Sequence, residues 1–349
     1  MKQEIKEKLI NKIEQRVVLP EVAMIARVEA SLIKGASKYC EDKGYQLILV
    51  PHLTKATGAC ENFSTLFSTS LFEETAYLNQ TGQLMLEAFM ESFGKTYCWG
   101  PSFRKEQKAD ERHLCEFPLF EIEVADCDLE KLKTEISNIF GNMIDYVEKN
   151  CYNELRHLTG NTLHLDELKP PYNSIEYKEA IKKLNSFGLK FGDDLKAEHE
   201  QELVRLNNGK PLFITHYPQQ IKFFNMRLNR TENLVVNSMD LIMPYSGEAV
   251  GAAEREEDFK ILLKRLRESD MLRLLKEEIK NEQKFVGVNE GKINEEAEKR
   301  FEWYLNIIKE KPIRHAGCGI GINRVTQAIL KASDIRHSTA FPLNRETLF

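Results

Sequence analysis

The stretch from Trp99 to Val124 constrains the fold most, because it joins two strand-like segments to a dense run of charge. It reads WGPSFRKEQKADERHLCEFPLFEIEV, with β-type segments at roughly Tyr97 to Arg104 and Glu116 to Val124. The loop between them is so rich in charged side chains that it must stay in water or hold a charged ligand. The sequence therefore predicts a hairpin with a polar end that a ligand can reach.

The side chains of this hairpin include the kinds that bind a nucleotide. Arg104 and Arg112, with His113, can present a guanidinium fork and a further cation to phosphate, and guanidinium keeps its charge at any working pH. Phe117 follows at a position where its ring could stack a base. On the residues alone, a solvated surface hairpin is about equally well supported, since most charge runs are only surface.

Two motifs give this stretch a family context. The run F-R-K-E with the following R-H-L-C-E-F resembles motif 2 of the class II aminoacyl-tRNA synthetases, in the aspartyl and asparaginyl subgroup. Gly317 to Arg324, G-C-G-I-G-I-N-R, resembles motif 3 of that family and lies about 200 residues further along. The resemblance covers roughly residues 22–349 and points to the asparaginyl-tRNA synthetase catalytic domain. It implies an α+β chain with the class II synthetase catalytic fold, an antiparallel sheet of six or seven strands flanked by helices.

Composition fits a cytoplasmic catalytic domain. A chain of 349 residues can bury a large core, and its net charge of -5 gives no overall basic footprint for nucleic acid. The seven cysteines are dispersed, without a C-x-x-C pair, which indicates reduced thiols rather than a disulfide frame or a zinc site. The charged N-terminus and the absence of any long apolar run predict neither a signal peptide nor a membrane span.

The chain divides into a short N-terminal helix, residues 1–21, and a catalytic domain, residues 22–349. A helix from about Val22 to Lys43 and the strand after it resemble motif 1, which implies a homodimer; an ordinary helix–strand unit of the core is the alternative. Residues 259–300 are a charged helical insertion, either solvated or in contact with a macromolecule. Aspartyl and asparaginyl enzymes carry a small anticodon-binding barrel before motif 1. Since only about 20 residues precede the helix here, we expect that barrel to be missing.

The resemblance implies an amino-acid site made of three residues. Glu61 falls where asparaginyl enzymes hold the substrate α-ammonium, Gln83 where they contact the amino acid, and Arg255 where an arginine grips the substrate side chain. Leu86 stands where aspartyl enzymes have a lysine that pairs with the aspartate side chain. Because a buried carboxylate without a partner is heavily penalised, the sequence favours asparagine over aspartate.

The resemblance also implies sites for Mg²⁺ and for ATP as substrate. Asp240 and Glu248, eight residues apart across a proline and glycine turn, match the metal carboxylates, although two solvated hairpin charges would explain the residues alone. Arg104 and Arg324 are the expected catalytic residues, at the α-phosphate and the γ-phosphate. The full set of implied ATP-binding residues is Arg104, Glu106, Arg112, His113, Phe117 and Arg324.

Motif 3 departs from the family pattern at three positions. Asn323, His337 and Leu343 stand where the family has charged residues, and these changes neutralise or reverse charge on the ATP side. They indicate a specialised paralogue.

These features predict a ligase that activates an amino acid, most simply asparagine, as an aminoacyl-adenylate. The acceptor stays open between tRNA, a protein and a small molecule. One alternative is an ammonia-dependent asparagine synthetase that activates aspartate, which Leu86 disfavours. The other is a non-catalytic regulator that binds an amino acid or nucleotide, which the changes in motif 3 favour and the retained arginines oppose.

Overall fold

The computed structural model describes residues 1–9, 16–55, 65–72, 74–232, 234–282 and 287–347. The helices are α1 Gln3–Leu9, α2 Pro20–Asp42, α3 Gln83–Glu87, α4 Met90–Phe93, α5 Leu129–Asn150, α6 Tyr152–Thr159, α7 Leu165–Leu168, α8 Tyr177–Lys183, α9 Ala197–Leu206, α10 Phe259–Glu268, α11 Asp270–Asn281, α12 Glu290–Lys299, α13 Glu302–Glu310 and α14 Ile322–Leu330. The strands are β1 Gln46–Leu47, β2 Leu53–Thr54, β3 Ser68–Leu71, β4 Glu74–Leu78, β5 Lys95–Phe103, β6 Glu116–Ala125, β7 Asn173–Glu176, β8 Leu212–Thr215, β9 Ser238–Met243, β10 Gly247–Glu254 and β11 His315–Gly321.

One large sheet organises the chain, in the order β1-β5-β6-β11-β10-β9-β8-β7. Its six central strands are antiparallel, and the short edge strands β1 and β7 pair in parallel with β5 and β8. The predicted α+β class and antiparallel sheet are thus confirmed, with eight strands instead of six or seven. Both edge strands are short: β1, with two residues, is the strand that the sequence predicts after the motif 1 helix, and β7 has four residues. A small separate sheet has the order β2-β4-β3.

The hairpin of β5 and β6 forms as predicted, with Lys95 opposite Val124 and Phe103 opposite Glu116. Strand β11 then pairs with β6 and sets Gly317 opposite Glu123. A Cβ at position 317 would overlap the Glu123 carboxyl group and a backbone carbonyl, so a glycine is needed there. The pairing of β5, β6 and β11 thus places motif 2 beside motif 3.

Helices α2 and α5 share one core with the sheet. One face of α5 is apolar and fully buried, with Leu132 and Ile136 on it, and the alternate β6 residues Phe120, Ile122 and Val124 are buried as well. Because side chains alternate along a strand, Glu121 and Glu123 lie on the opposite face of β6. That face carries the cavity described below.

The charged segment after residue 259 builds a second core. Helices α10 to α13 bury apolar residues such as Leu262, Leu272 and Tyr304 against Tyr77 and Phe224. Their charged faces stay in water, but their inner faces are part of the protein interior. The segment is therefore not a purely solvated insertion. Within the described ranges, no helix is long and apolar enough to cross a membrane.

Candidate active site

The predicted site residues converge on a single cavity of about 280 Å³. Ten of the eleven line it: Gln83, Arg104, Glu106, Arg112, His113, Phe117, Asp240, Glu248, Arg255 and Arg324. The eleventh, Glu61, lies outside the described residues. The walls come from the β5–β6 hairpin, from β9 and β10, and from the junction of β11 with α14. Residues far apart in sequence thus meet because these strands are neighbours in the sheet.

Arg104 and Phe117 face each other at the hairpin end of the cavity. The Arg104 guanidinium lies over the Phe117 ring, 5.4 Å from its centre. The backbone N–H of Arg104 donates to the carbonyl of Cys115 at 2.7 Å, which fixes the chain where it leaves β5. A cation over an aromatic face is favourable, so this contact orients the guanidinium.

Arg112 and His113 lie further along the same loop, and each contacts a carboxylate. Arg112 forms an ion pair with Glu200 and donates from Nε to the carbonyl of Ser246 at 3.2 Å. His113 Nδ1 lies 2.7 and 2.8 Å from the two carboxylate oxygens of Asp110. Burial raises the pKa of Asp110, but hydrogen bonds from the Arg112 N–H and from His113 outweigh it and lower the pKa.

Arg324 enters the cavity from the first turn of α14. Its Nη1 donates to the carbonyls of Ser246 at 2.6 Å and Glu248 at 3.2 Å. Burial and the neighbouring charge of Arg112 lower the pKa of Arg324 to about 10, so it remains protonated at neutral pH. Together with Arg104 it gives this end of the cavity the cluster of fixed positive charge that suits phosphate oxygens.

The other end of the cavity is formed around Arg255, which is 3% exposed. Its Nη2 donates to Glu123 Oε1 at 2.5 Å, and its Nε donates to the same atom at 3.1 Å. Nε also lies 3.8 Å from Glu87. No described residue accepts from Nη1, which leaves one edge of the guanidinium for a ligand.

Glu87 holds this end together through hydrogen bonds. One carboxylate oxygen accepts from Gln83 Nε2 at 2.6 Å and from Asn225 at 3.2 Å, and the other from Tyr304 at 2.8 Å and His315 Nε2 at 3.1 Å. Burial raises the pKa of Glu87, but the hydrogen bond and charge of His315 outweigh it, and the pKa is lowered. His315 in turn has a raised pKa, because its interactions with Glu87 overcome the effect of its burial.

The charges at this end nearly cancel. Arg255 and His315 are cations, whereas Glu87 and Glu123 are anions when ionised. Burial raises the pKa of Glu123 to about 7, although Arg255 opposes that shift. With His315 protonated, the group is neutral as a whole when Glu123 is ionised and carries one positive charge when Glu123 is protonated.

Asp240 and Glu248 fit a divalent cation. A Cβ on Gly251 would lie 3.2 Å from Glu248 Oε1 and 3.9 Å from Asp240 Oδ1, so both carboxylates point over this glycine. Lys222 also contacts Asp240, with Nζ 2.9 Å from Oδ2. Two carboxylate oxygens beside a phosphate-binding region are a donor set that Mg²⁺ accepts.

A second group has metal-like spacing, since ligand atoms of Glu87, Glu123 and His315 lie within 4.8 Å of one another. The guanidinium of Arg255 hydrogen-bonds Glu123 and approaches Glu87, so a cation is already supplied. This group is therefore an ion-pair network of the protein.

The sequence reasoning did not identify four residues that contact the predicted site: Glu123, Glu200, Lys222 and Tyr304. Only Glu123 carried a usable signal. It follows Glu121 at the two-residue period of a strand, and two acidic residues on one strand face are unusual unless they meet a cation. The partners of the other three come from distant segments, which a local pattern does not reveal.

The changed positions of motif 3 contact the protein itself. Asn323 donates to Glu29 of α2 at 2.5 Å, and burial raises the pKa of Glu29 to about 7. The Leu343 carbonyl accepts from the Cys115 N–H at 2.7 Å, which ties the C-terminal segment to the motif 2 hairpin. These residues thus support the walls of the cavity.

Comparisons with known proteins identify the family of the chain. The family model of class II tRNA synthetases (D, K and N) matches residues 7–345. The asparagine–tRNA ligase of Pyrococcus abyssi is 32% identical over 326 residues, which are 93% of this chain and 69% of that protein.

Solved structures give the same result. Asparaginyl-tRNA synthetase from Pyrococcus horikoshii, complexed with asparaginyl-adenylate, has a TM-score of 0.84 at 28% identity, over 100% of this chain and 74% of that one. The Entamoeba histolytica asparaginyl enzyme in complex with asparaginyl-adenylate has a TM-score of 0.77 at 25% identity, over 94% of this chain and 68% of that one. With a family match over nearly its whole length, the chain belongs to the class II tRNA synthetases of the aspartyl, lysyl and asparaginyl group.

Proposed function

We propose that this protein is a ligase that activates asparagine with ATP, forming asparaginyl-adenylate and pyrophosphate. The observation that carries the proposal is a single cavity with arginines at one end and a charge-balanced, hydrogen-bonding network at the other. The first suits a triphosphate, and the second suits a small polar side chain. The asparaginyl relatives support the same assignment.

The network around Arg255 favours a neutral side chain. Glu123 already balances the charge of the guanidinium, so the free edge can donate to a carbonyl oxygen, whereas a carboxylate there would meet no net positive charge. Leu86 is fully buried and outside the cavity lining, and it adds no positive charge. Asparagine satisfies both conditions, whereas aspartate would bring an unbalanced charge.

In the proposed reaction, an oxygen of the amino-acid α-carboxylate attacks the α-phosphorus of ATP, and pyrophosphate leaves. Arg104 binds the α-phosphate, Arg324 and His113 bind the γ-phosphate, and Phe117 stacks the base, with Glu106 and Arg112 completing the nucleotide site. These residues contribute by positioning and by charge that is fixed before the reaction.

The amino acid is held from the opposite end. Gln83 and Arg255 bind its polar groups, and Glu61 takes its α-ammonium. Mg²⁺, which Asp240 and Glu248 would hold, supplies additional neutralisation of phosphate charge when bound.

We propose tRNA as the acceptor and a homodimer as the working form. The named function of the relatives supports the acceptor. The dimer is supported by large apolar side chains that remain exposed on β1 and just after it, Leu47 and Leu49, and on the paired strand β5, Trp99. Such a concentration of exposed apolar surface is typical of a contact between subunits.

The test is amino-acid-dependent exchange of labelled pyrophosphate into ATP, with asparagine, aspartate and a panel of other amino acids. We expect exchange with asparagine and much less with aspartate. Arg324→Ala should lower the rate by about 100-fold or more, as loss of a single charge-stabilising donor does elsewhere. Arg273→Ala, which removes an exposed arginine of α11, should have no effect.

Exchange with aspartate alone would refute the asparagine assignment, and no exchange with any amino acid would refute the adenylate-forming function. Charging of a tRNA pool with labelled asparagine then tests the acceptor. Analytical ultracentrifugation of wild type and Leu49→Asp tests the dimer, which this charge should dissociate.

A further inference from the structure

Glu200 is a buried carboxylate just behind the nucleotide end of the cavity. It lies on α9, is 5% exposed and does not line the cavity itself. Its Oε2 atom makes the ion pair with Arg112 and also accepts from the backbone N–H of Glu248 at 3.3 Å. One oxygen atom therefore contacts both an arginine of the proposed ATP site and the main chain of a proposed metal-binding residue.

The turn between β9 and β10 is packed against the same group. The Ser246 carbonyl accepts from Arg112 Nε at 3.2 Å and from Arg324 Nη1 at 2.6 Å. Gly247 has a φ of +71°, and a Cβ there would overlap the Arg112 guanidinium and the Glu200 carboxylate. Two arginines, one turn and one carboxylate thus form a close-packed unit, in which a shift of one member displaces the others.

From these contacts we infer that Glu200 is a positioning residue, which holds Arg112 toward the phosphates of ATP and fixes the main chain at Glu248. The inference rests on the proposed function, because it requires ATP and a divalent cation in this cavity. Glu200 takes Nη2 of Arg112 and Ser246 takes Nε, so the direction of the remaining Nη1 is set. Without the Glu200 carboxylate, the Arg112 guanidinium would sample several directions, because its side chain is flexible. Arg112 would then be less well oriented before ATP binds.

The position of Glu248 follows the same reasoning. Its backbone N–H is held by Glu200 and its carbonyl by Arg324, so the start of β10 is fixed on both sides. The Glu248 carboxylate extends from this segment toward Asp240 over Gly251. Loss of the Glu200 contact should therefore weaken the response to Mg²⁺ as well as the binding of ATP.

The test compares Glu200→Gln with Glu202→Gln by calorimetry. Both changes remove a glutamate charge from α9, but Glu202 pairs with Arg205 away from the cavity. ATP is titrated without Mg²⁺ and then over a range of Mg²⁺ concentrations, and asparagine is titrated separately. For Glu200→Gln we expect the dissociation constant for ATP to rise about tenfold, the loss typical of a charge-assisted hydrogen bond.

The concentration of Mg²⁺ that half-saturates ATP binding should rise in Glu200→Gln as well. Its asparagine affinity should stay within about twofold of wild type, since Arg255 and Gln83 do not touch this group. Glu202→Gln should match wild type in all three titrations. In kinetics, the KM for ATP should rise while the KM for asparagine stays unchanged.

An unchanged ATP affinity in Glu200→Gln would overturn the inference, and so would an equal loss of ATP and asparagine binding, which indicates general damage to the fold. If Glu200→Gln does not fold, Glu200→Asp is used, which keeps the charge and shortens the reach; an ATP affinity equal to wild type would then refute the role. If the wild-type protein binds ATP but exchanges no pyrophosphate, the proposed function is refuted. The ATP titrations of wild type and Glu200→Gln still test the role of Glu200 in that case.

Discussion

Replacement of Glu123 by glutamine tests the charge balance around Arg255 most directly. Glu123 is 1% exposed and accepts hydrogen bonds from two nitrogens of the Arg255 guanidinium, Nε and Nη2. The glutamine keeps the size and one acceptor oxygen but removes the negative charge. The neutral network then gains a net positive charge, which should make a substrate carboxylate more acceptable relative to an amide.

The size of this change follows from Coulomb's law. A substrate carboxylate on the free edge of Arg255 would lie about 7 Å from the Glu123 carboxylate, which is the width of a guanidinium with one contact on each side. At an effective dielectric constant of about 20, the two carboxylates repel each other by roughly 2.4 kcal/mol. Each 1.4 kcal/mol is about a factor of ten, so removing the repulsion should shift the preference for asparagine over aspartate by about 50-fold.

The assay is pyrophosphate exchange at about pH 8, because Glu123, with a pKa of about 7, is mostly ionised there. The measured quantity is the ratio of kcat/KM for asparagine to kcat/KM for aspartate. Glu121→Gln is the matched control: it lies two residues away on β6, is also buried, and hydrogen-bonds Gly82 but not Arg255. A ratio that is the same in Glu123→Gln and in wild type would refute the electrostatic reasoning, and an equal shift in Glu121→Gln would show that any buried charge on β6 has this effect.

Three further predictions concern pH, the β9–β10 turn and the metal site. Because the folded-state pKa of Glu123 is raised to about 7, its contribution to stability is present below its unfolded pKa and is lost as pH rises through 7. In urea unfolding, the free energy of unfolding of wild type minus that of Glu123→Gln should therefore fall between about pH 5 and pH 8. Gly247→Ala should lower the unfolding free energy by about 2 kcal/mol, because position 247 has a positive φ and a Cβ would overlap Arg112; a change below about 0.5 kcal/mol in urea unfolding would contradict this. Lys222→Met removes one partner of a buried ion pair and should destabilise the fold by about 3 kcal/mol, and Mg²⁺ should restore part of that loss by binding Asp240; equal stability with and without Mg²⁺ would contradict the metal assignment.

The sequence predicted the motif 2 hairpin almost to its ends. It also predicted ten residues that line the cavity. Alternating apolar residues and a charged loop account for the hairpin, because each limits the backbone to few conformations, whereas most of the cavity residues were implied by the resemblance to the synthetase motifs. The structure adds that β6 and β11 are neighbours, with Glu123 opposite Gly317. That adjacency turns two separate motifs into two walls of the same cavity.

What the sequence did not predict depends on contacts between distant segments. Lys222 pairs with Asp240 and Glu200 with Arg112, and neither pair has a spacing that a helix or strand would produce. Because the composition of residues 259–300 is strongly charged, the sequence predicted a helical insertion that is either solvated or in contact with a macromolecule. The apolar residues of this segment lie on the inner faces of its helices and complete a second core. They pack against Tyr77, which is distant in sequence, so the segment's own sequence does not reveal this contact.

On the proposed function, an ion-paired arginine explains how an acidic chain can bind phosphate. At the proposed nucleotide end, Arg112 has the carboxylate of Glu200 behind it, and Glu200 does not line the cavity. A guanidinium held in this way still donates hydrogen bonds in a fixed direction, but its charge is largely balanced at longer range. In the proposed function, the cavity therefore binds phosphate through short, directed contacts, while a chain with a net charge of -5 has little general attraction for nucleic acid. On this reasoning any tRNA would be selected by local contacts at the mouth of the cavity, and its binding should depend less on salt than that of a protein with a broad basic surface.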